Sequence, residues 1–321
     1  MTRGKVVVTE PIYEDGLRIL KKEAEVIYLP ELPKRTLAEA IKEAHGVAVR
    51  VAKINADLLA QADSLKIIAK HGVGYDNIDV EAATKKRIVV VNTPEANAES
   101  VAEHNLGLML SLAKKIATTD RVLRQNRLKR REDYIGVELK DKKLGVIGLG
   151  RIGSELAHKC KIAFDMDVIA YDPYVPKEKA EQQGYTKVEK IAEVLRQADY
   201  VVICVPLTKE TANLIGVREL SLMKESAFLI NSSRGGIVDE AALYDHLVKG
   251  KIAGAALDVF LQEPPPADHP LLRLDNFIAT PHMGGMTAEA MRRMAITVAE
   301  EILRVLRGER PKYPVNPQVL N

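Results

Sequence analysis

Tryptophan is absent from this 321-residue sequence, and cysteine occurs only twice, as Cys160 and Cys204. Both lie in apolar contexts without a C-x-x-C spacing, which excludes a disulfide scaffold or a zinc ribbon; they read as buried thiols of a reducing compartment. Aromatic residues make up only 4%, too few to interleave with basic residues as a single-strand nucleic-acid platform requires. Charge of one sign is also lacking: a net charge of +3 leaves no electrostatic footprint for nucleic acid. The densest basic run, Arg121 to Arg131, therefore reads as a solvated helix face or a subunit edge. No apolar run approaches the length of a membrane span, and the opening Met-Thr-Arg-Gly-Lys-Val has no signal-peptide core. The expectation is a soluble, cytoplasmic protein with no metal, nucleic-acid or membrane partner. Its 46% hydrophobic and 28% charged residues are an ordinary globular balance, and its length suggests two domains.

The stretch that organises the rest is Lys143-Leu-Gly-Val-Ile-Gly148-Leu-Gly150-Arg151-Ile152-Gly153. An apolar run (Leu144, Val146, Ile147) breaks into G-x-G-x-x-G and resumes as a helical pattern (Ile152, Leu156, Ala157, Cys160). Strand, glycine turn and helix start, in that order, are the fingerprint of a dinucleotide-binding unit. Gly148 permits the tight turn, Gly150 the approach of a pyrophosphate, and Gly153 the packing of helix on strand; the helix start offers N–H groups and a positive dipole end to phosphate. A second apolar run, Val168-Ile-Ala-Tyr171, ends in Asp172-Pro173. That acid lies 19 residues beyond Gly153 (172 − 153), where such folds place a carboxylate on ribose hydroxyls, favouring NAD over NADP.

Upstream, short apolar runs near residues 5–9, 26–29, 46–50, 65–69 and 88–91 alternate with amphipathic stretches, which implies a parallel sheet in an α/β layer. No glycine-rich phosphate turn follows the first run, so this block is not a second nucleotide half. The turn His71-Gly-Val73-Gly74-Tyr75 follows a strand's carboxyl end, where open α/β sheets bind ligands. Pro94 breaks the connector that follows. From Ala98 an apolar pattern runs through Ile116, long enough for one rigid helix between domains. A second array has strands near 144–148, 167–171, 200–205, 227–230, 253–257 and 276–279. A helical stretch from Met286 to Leu306 then leads into a Pro-rich tail.

Three polar residues follow apolar strands in the second array: Arg234, Glu263 and His282. A guanidinium fork suits a carboxylate. Reducing a 2-oxo acid requires its carboxylate held, its carbonyl polarised and a proton delivered to the forming alkoxide. Arginine supplies the first two and histidine the third, and a carboxylate on the far ring nitrogen favours imidazolium.

With these motifs in order along nearly the whole chain, the sequence resembles the D-isomer-specific 2-hydroxyacid dehydrogenase family, most of all its D-3-phosphoglycerate dehydrogenase branch. The matching stretches are Gly74-Tyr-Asp-Asn-Ile-Asp79, the Gly145–Gly153 turn, Ala170-Tyr-Asp-Pro173, Asn231-Ser-Ser-Arg-Gly-Gly-Ile-Val-Asp-Glu240, Ala255-Ala-Leu-Asp-Val-Phe260 with Glu263-Pro, and Thr280-Pro-His282. The resemblance implies two Rossmann-like or flavodoxin-like doubly wound parallel-sheet domains with a cleft between them. Residues 1–97 plus 285–321 would form a substrate-binding domain and 98–284 an NAD-binding domain. It implies Arg234 on the substrate carboxylate and carbonyl, His282 as acid/base and Glu263 as its partner. It further implies NAD contacts from Val101, Gly148, Gly150, Arg151, Ile152, Gly153, Asp172, Pro173, Val205, Pro206, Thr211, Ser232, Ser233, Asp258 and Gly284. The Val73 and Gly74 backbone would complete the carboxylate site, and a homodimer, with a tetramer as the alternative, would form along the cofactor domains. The substrate is left open. Where the phosphoglycerate branch continues with Ser and Thr after the strand, Arg50 is followed here by Val51-Ala-Lys53. His71 and Tyr75 are bulkier and more polar than expected, so a hydroxypyruvate, glyoxylate or other small 2-oxo acid reductase is the alternative. An NAD-sensing corepressor-like module is the alternative of another class, and phosphite oxidation a variant that keeps the same three residues.

Overall fold

A computed structural model describes residues 3–32 and 34–321; Met1, Thr2 and Pro33 lie outside the described residues, the first two within the N-terminal stretch read for a signal peptide. The chain divides into two compact units, one of residues 1–97 with 285–321 and one of residues 98–284.

The first unit is built on five parallel strands, β1 (Lys5–Val8), β2 (Glu25–Tyr28), β3 (Gly46–Val49), β4 (Ile67–Lys70) and β5 (Val89–Val91), in the order β2-β1-β3-β4-β5. This is the flavodoxin-like order. β1, β3 and β5 carry runs of Val, and β3 and β5 are buried along their whole length, as strands covered on both faces must be. The helix Ala288–Leu306 covers one face. Thr287 caps its first turn by accepting from Ala290 N, and its apolar stripe Val298, Ala299, Ile302 and Leu303 packs with Val6, Val8, Leu17 and Leu20. Its docking partner, unreadable from periodicity, is thus the first sheet and the helix Glu14–Glu23. The tail beyond it is anchored. Buried Glu301 accepts from Lys312 N and Tyr313 N, and buried Asn316 bonds Val90 N, Ile88 O and Thr84 Oγ1.

The second unit has seven parallel strands: β6 (Lys143–Ile147), β7 (Asp167–Tyr171), β8 (Thr186–Val188), β9 (Tyr200–Ile203), β10 (Phe228–Asn231), β11 (Gly254–Leu257) and β12 (Phe277–Ala279). Their order is β12-β11-β10-β9-β6-β7-β8. The order reverses between β6 and β9, and this is the doubly wound dinucleotide arrangement with one further strand at its edge. Two features depart from the sequence expectation. The three-residue edge strand β8 was not anticipated. The pattern beginning at Ala98 is two helices, Ala98–Ala113 and Ile116–Arg124, broken where Lys115 turns left-handed at φ 54; it is not one rigid rod.

No helix among the described residues is long and apolar enough to cross a membrane. Cys160 is buried and Cys204 half-buried, and burial pushes both thiols up to about 12.

Candidate active site

In the second unit every expected site residue except Val101 and the helix-borne part of the glycine turn follows the carboxyl end of a strand. At the switch point after β6, Gly148 has φ 97, and a side chain there would meet Cys204 O at 2.5 Å. Gly150 caps the helix Arg151–Phe164 and faces open space, with nothing within 4 Å of an added Cβ. Gly153 packs so closely that a Cβ would lie 2.1 Å from Gly148 O. An open cradle at a helix N-terminus, held by close packing beneath it, fits a pyrophosphate. Asp172, at the end of β7, accepts from Leu149 N at 2.8 Å, Tyr174 N at 2.8 Å and Val175 N at 3.2 Å. It therefore braces the glycine turn as well as presenting negative charge beside it. After β9, Val205 and Pro206 begin a connector in which Thr211 Oγ1 donates to Pro206 O at 2.6 Å.

After β10, Ser232 Oγ donates to Asn105 Oδ1 and Ser233 Oγ to Ile203 O, each at 2.8 Å. Asn231 reaches around the turn to Ser233 N and Arg234 O, fixing the backbone from which the Arg234 side chain springs. A Cβ on Gly235 would fall 1.9 Å from Phe260 O, so the Arg234 turn lies directly against the loop leaving β11. That loop carries Glu263, whose Oε1 accepts from Phe260 N at 3.2 Å and whose Oε2 meets His282 Nδ1 at 2.8 Å. Burial raises the Glu263 pKa, but the hydrogen bond and charge of His282, then Phe260 N and the Arg234 guanidinium, outweigh it and hold the carboxyl below its ordinary value. The imidazole is 47% exposed, so its Nε2 side is open to a reacting partner while Nδ1 is held.

His282 has φ 55, a left-handed conformation that costs a residue bearing a Cβ about 1 kcal/mol or more. Asp258, 1% exposed, offsets that cost. It accepts from Met283 N at 2.7 Å, Gly284 N at 2.8 Å and Thr280 Oγ1 at 2.6 Å, while His282 N donates to its carbonyl at 2.8 Å. His104 stands 3.1 Å from Thr280 Oγ1 and 3.4 Å from Asp258. Burial works against the Asp258 charge, yet His104, Thr280 and the two amides together keep its pKa low. Asp258 thus serves the loop that carries His282. Val101 lies under that loop, 3.6 Å from where a Gly284 side chain would begin. Asn105 and His104 were missed by sequence reasoning, because a polar residue inside a helical apolar pattern carries no sign of its distant partner.

In the first unit, Val73 and Gly74 lie in the turn after β4, and Asn92 Nδ2 donates to Val73 O at 2.7 Å. Arg50 follows β3. Its N–H and those of Val51 and Ala52 all donate to Glu10, which the sequence did not single out, and its guanidinium touches Met286 Sδ at 2.9 Å. Tyr75 is 41% exposed. His71 is 3% exposed, neither ring nitrogen has a hydrogen-bond partner, and burial lowers its pKa to about 4. Nearby backbone of His71 and Met291 opposes that shift, and Arg50 and Lys70 add to it, but desolvation dominates. The imidazole is thus neutral and enclosed near neutral pH.

Two doubly wound units, one with a glycine cradle at its switch point and an Arg–Glu–His set at its strand ends, define a dinucleotide-binding α/β protein. The chain belongs to the D-isomer specific 2-hydroxyacid dehydrogenase family, whose NAD binding domain matches residues 106–284. It is 48% identical over 313 residues to a D-3-phosphoglycerate dehydrogenase of Methanocaldococcus jannaschii, covering 97% of this chain but only 59% of that protein. It is 38% identical to a glyoxylate reductase of Pyrococcus furiosus, over 99% of this chain and 97% of that one. Among solved structures it is similar to D-lactate dehydrogenase of Aquifex aeolicus complexed with NAD and lactic acid, with a TM-score of 0.83 and 32% identity, covering 95% of this chain and 96% of that chain.

Proposed function

We propose that the chain is an NAD-dependent D-2-hydroxyacid dehydrogenase that interconverts a 2-hydroxy acid and its 2-oxo acid, with 3-phosphoglycerate and phosphohydroxypyruvate as the leading pair. The observation that carries this reading is the Glu263–His282 hydrogen bond of 2.8 Å, set beside the charge of Arg234. The Arg234 fork binds the substrate carboxylate and draws electron density from the C2 carbonyl, a task a lysine cannot perform bidentately. His282 gives a proton from Nε2 to the forming alkoxide and takes it back in the reverse direction. Glu263 fixes the ring so that Nδ1 carries hydrogen and Nε2 faces the reacting oxygen; such acid/base assistance contributes roughly 10²–10⁴-fold. The Gly148–Gly153 turn would hold NAD(H), whose chemistry is to supply or accept the hydride. Asp172 favours NAD, because a 2′-phosphate would meet its carboxylate. Pro173, Val205, Pro206, Thr211, Ser232, Ser233 and Gly284 lie on the connectors assigned to the rest of the cofactor. Val73, Gly74, Arg50 and Tyr75 are assigned to substrate selection.

A second reading, a reductase of smaller 2-oxo acids such as glyoxylate or hydroxypyruvate, is favoured by the segment after Arg50. Val51 there is 69% exposed and offers no hydroxyl to a phosphate. Loss of NADH absorbance with phosphohydroxypyruvate, hydroxypyruvate, glyoxylate, pyruvate and oxaloacetate decides between them. A kcat/KM of about 10⁴ M⁻¹s⁻¹ or more for one substrate supports the enzyme. No turnover of any substrate, with NADH still bound, would overturn it. Arg50→Ala should weaken a phosphorylated substrate far more than glyoxylate.

A further inference from the structure

We propose that Glu240 and His269 form a clamp that positions Glu263 against His282, which makes Glu240 a positioning residue for the acid/base pair. Glu240 is the first residue of the helix Glu240–Val248, yet its carboxylate does not serve that helix. Asp239 already caps it, accepting from Ala241 N and Ala242 N at 3.0 Å each. Both Glu240 oxygens go instead to the loop that leaves β11. Oε1 accepts from Leu261 N at 2.7 Å, and Oε2 accepts from His269 Nε2 at 3.0 Å. One carboxylate therefore ties together the two ends of the segment 261–269, and Glu263 lies two residues inside the first tie.

The pair is sheltered, with side-chain exposures of 17% for Glu240 and 16% for His269. Its surroundings give it purchase on Glu263. The His269 ring stands edge-on to Phe260 with centroids 5.6 Å apart, and Phe260 N donates to Glu263 Oε1. Phe260 and Leu271 are buried at the two ends of the loop, whereas Leu261 is 79% exposed. Apolar packing thus fixes the loop's ends and leaves its middle to the clamp. A half-buried carboxylate that accepts two hydrogen bonds is costly to disturb. The charged groups that face Glu263 are His282 from the loop after β12 and Arg234 from the turn after β10, with Glu240 behind the loop.

The consequence for turnover rests on the dehydrogenase reading; the geometric part does not, and the test separates them. Glu240→Ala is examined first by carboxyl-carbon NMR titration without substrate, the Glu263 signal being the one missing from Glu263→Gln. In the native protein Glu263 titrates below its ordinary value of 4.5 because His282 holds it. With the clamp removed the midpoint should rise towards that value. Removing the Glu240 charge alone would push it the other way, so the sign distinguishes positioning from electrostatics, and an unmoved or lowered midpoint overturns the proposal. Should Glu240→Ala fail to fold, His269→Phe keeps the Glu240 charge and its bond to Leu261 N and removes only the tie at residue 269. It should give a smaller rise, and the absence of one is equally fatal.

On an active 2-oxo acid, Glu240→Ala should lower kcat about tenfold with NADH affinity nearly unchanged. It should cost nothing further in a Glu263→Gln background, because both changes act through one interaction. Losses that multiply would overturn the clamp. A native enzyme inert towards every 2-oxo acid would instead overturn the dehydrogenase reading and leave the titration result standing.

Discussion

His282 holds a left-handed backbone that Asp258 stabilises through the flanking amides, and its Nδ1 is committed to Glu263. His282→Ala should therefore reduce turnover by roughly 10²–10⁴-fold, while fluorescence titration finds NADH affinity nearly intact. Arg234→Lys should lose most activity despite keeping its charge, read from kcat/KM on the best 2-oxo acid. His71 yields a prediction about stability. Its pKa is depressed from 6.5 to about 4, so between those values the unfolded chain binds the proton and the folded one does not. Stability is full above pH 6.5 and falls as pH drops through that window, by about 3 kcal/mol at the limit. His71→Phe should flatten this part of the curve in urea denaturation at pH 7.5, 6 and 5. Arg234, Glu263 and His282 were legible because each follows an apolar strand in a recurring motif. Glu10, His104, Glu240 and His269 were not, since each acts by pairing with a residue far away in sequence, and no local pattern records such a pairing.

The elements were legible where periodicity was strong and failed where it was short or deceptive. The Val-rich strands and the helix after Gly150 announce themselves. β8 has three residues and one buried side chain, too little for a period of two to show. The break at Lys115 is hidden because apolar residues continue in helical register on both sides of it. Close packing of elements is also invisible in sequence until a glycine is asked what lies beside it. Gly16, in the helix Glu14–Glu23, would carry a Cβ 2.5 Å from Ala295 O in the C-terminal helix. Gly16→Ala should thus force two packed helices apart and cost about 1–3 kcal/mol, measurable by chemical denaturation. Gly153→Ala should do comparable damage at the glycine turn and abolish NADH binding, as isothermal titration would show.

At the scale of the molecule, alternation of strand and helix in the sequence pointed to parallel sheets in α/β layers, and the doubly wound orders of the two sheets were what the family resemblance implied. What alternation cannot show is association. Ile116, Leu123 and Ile135 are 54%, 66% and 73% exposed beside the basic run, apolar side chains that the homodimer implied by the family resemblance would cover. Leu123→Asp combined with Ile135→Asp should shift the molar mass measured by light scattering from two chains to one.

The path of the chain carries one more consequence. It leaves the first unit after Asn97 and returns at Gly285, where an added Cβ would lie 3.0 Å from Asn97 Nδ2. On the other side of each crossing, Val101 and Gly284 are neighbours too. Exit and entry are thus a single doorway, and residues 98–284 are a guest lodged in a host whose own sheet they never interrupt. A nucleotide-handling module with its ends together can be acquired, exchanged or removed as one piece. The first unit, with Asn97 rejoined to Gly285 through a few glycines, should keep its five-stranded sheet, a prediction open to circular dichroism.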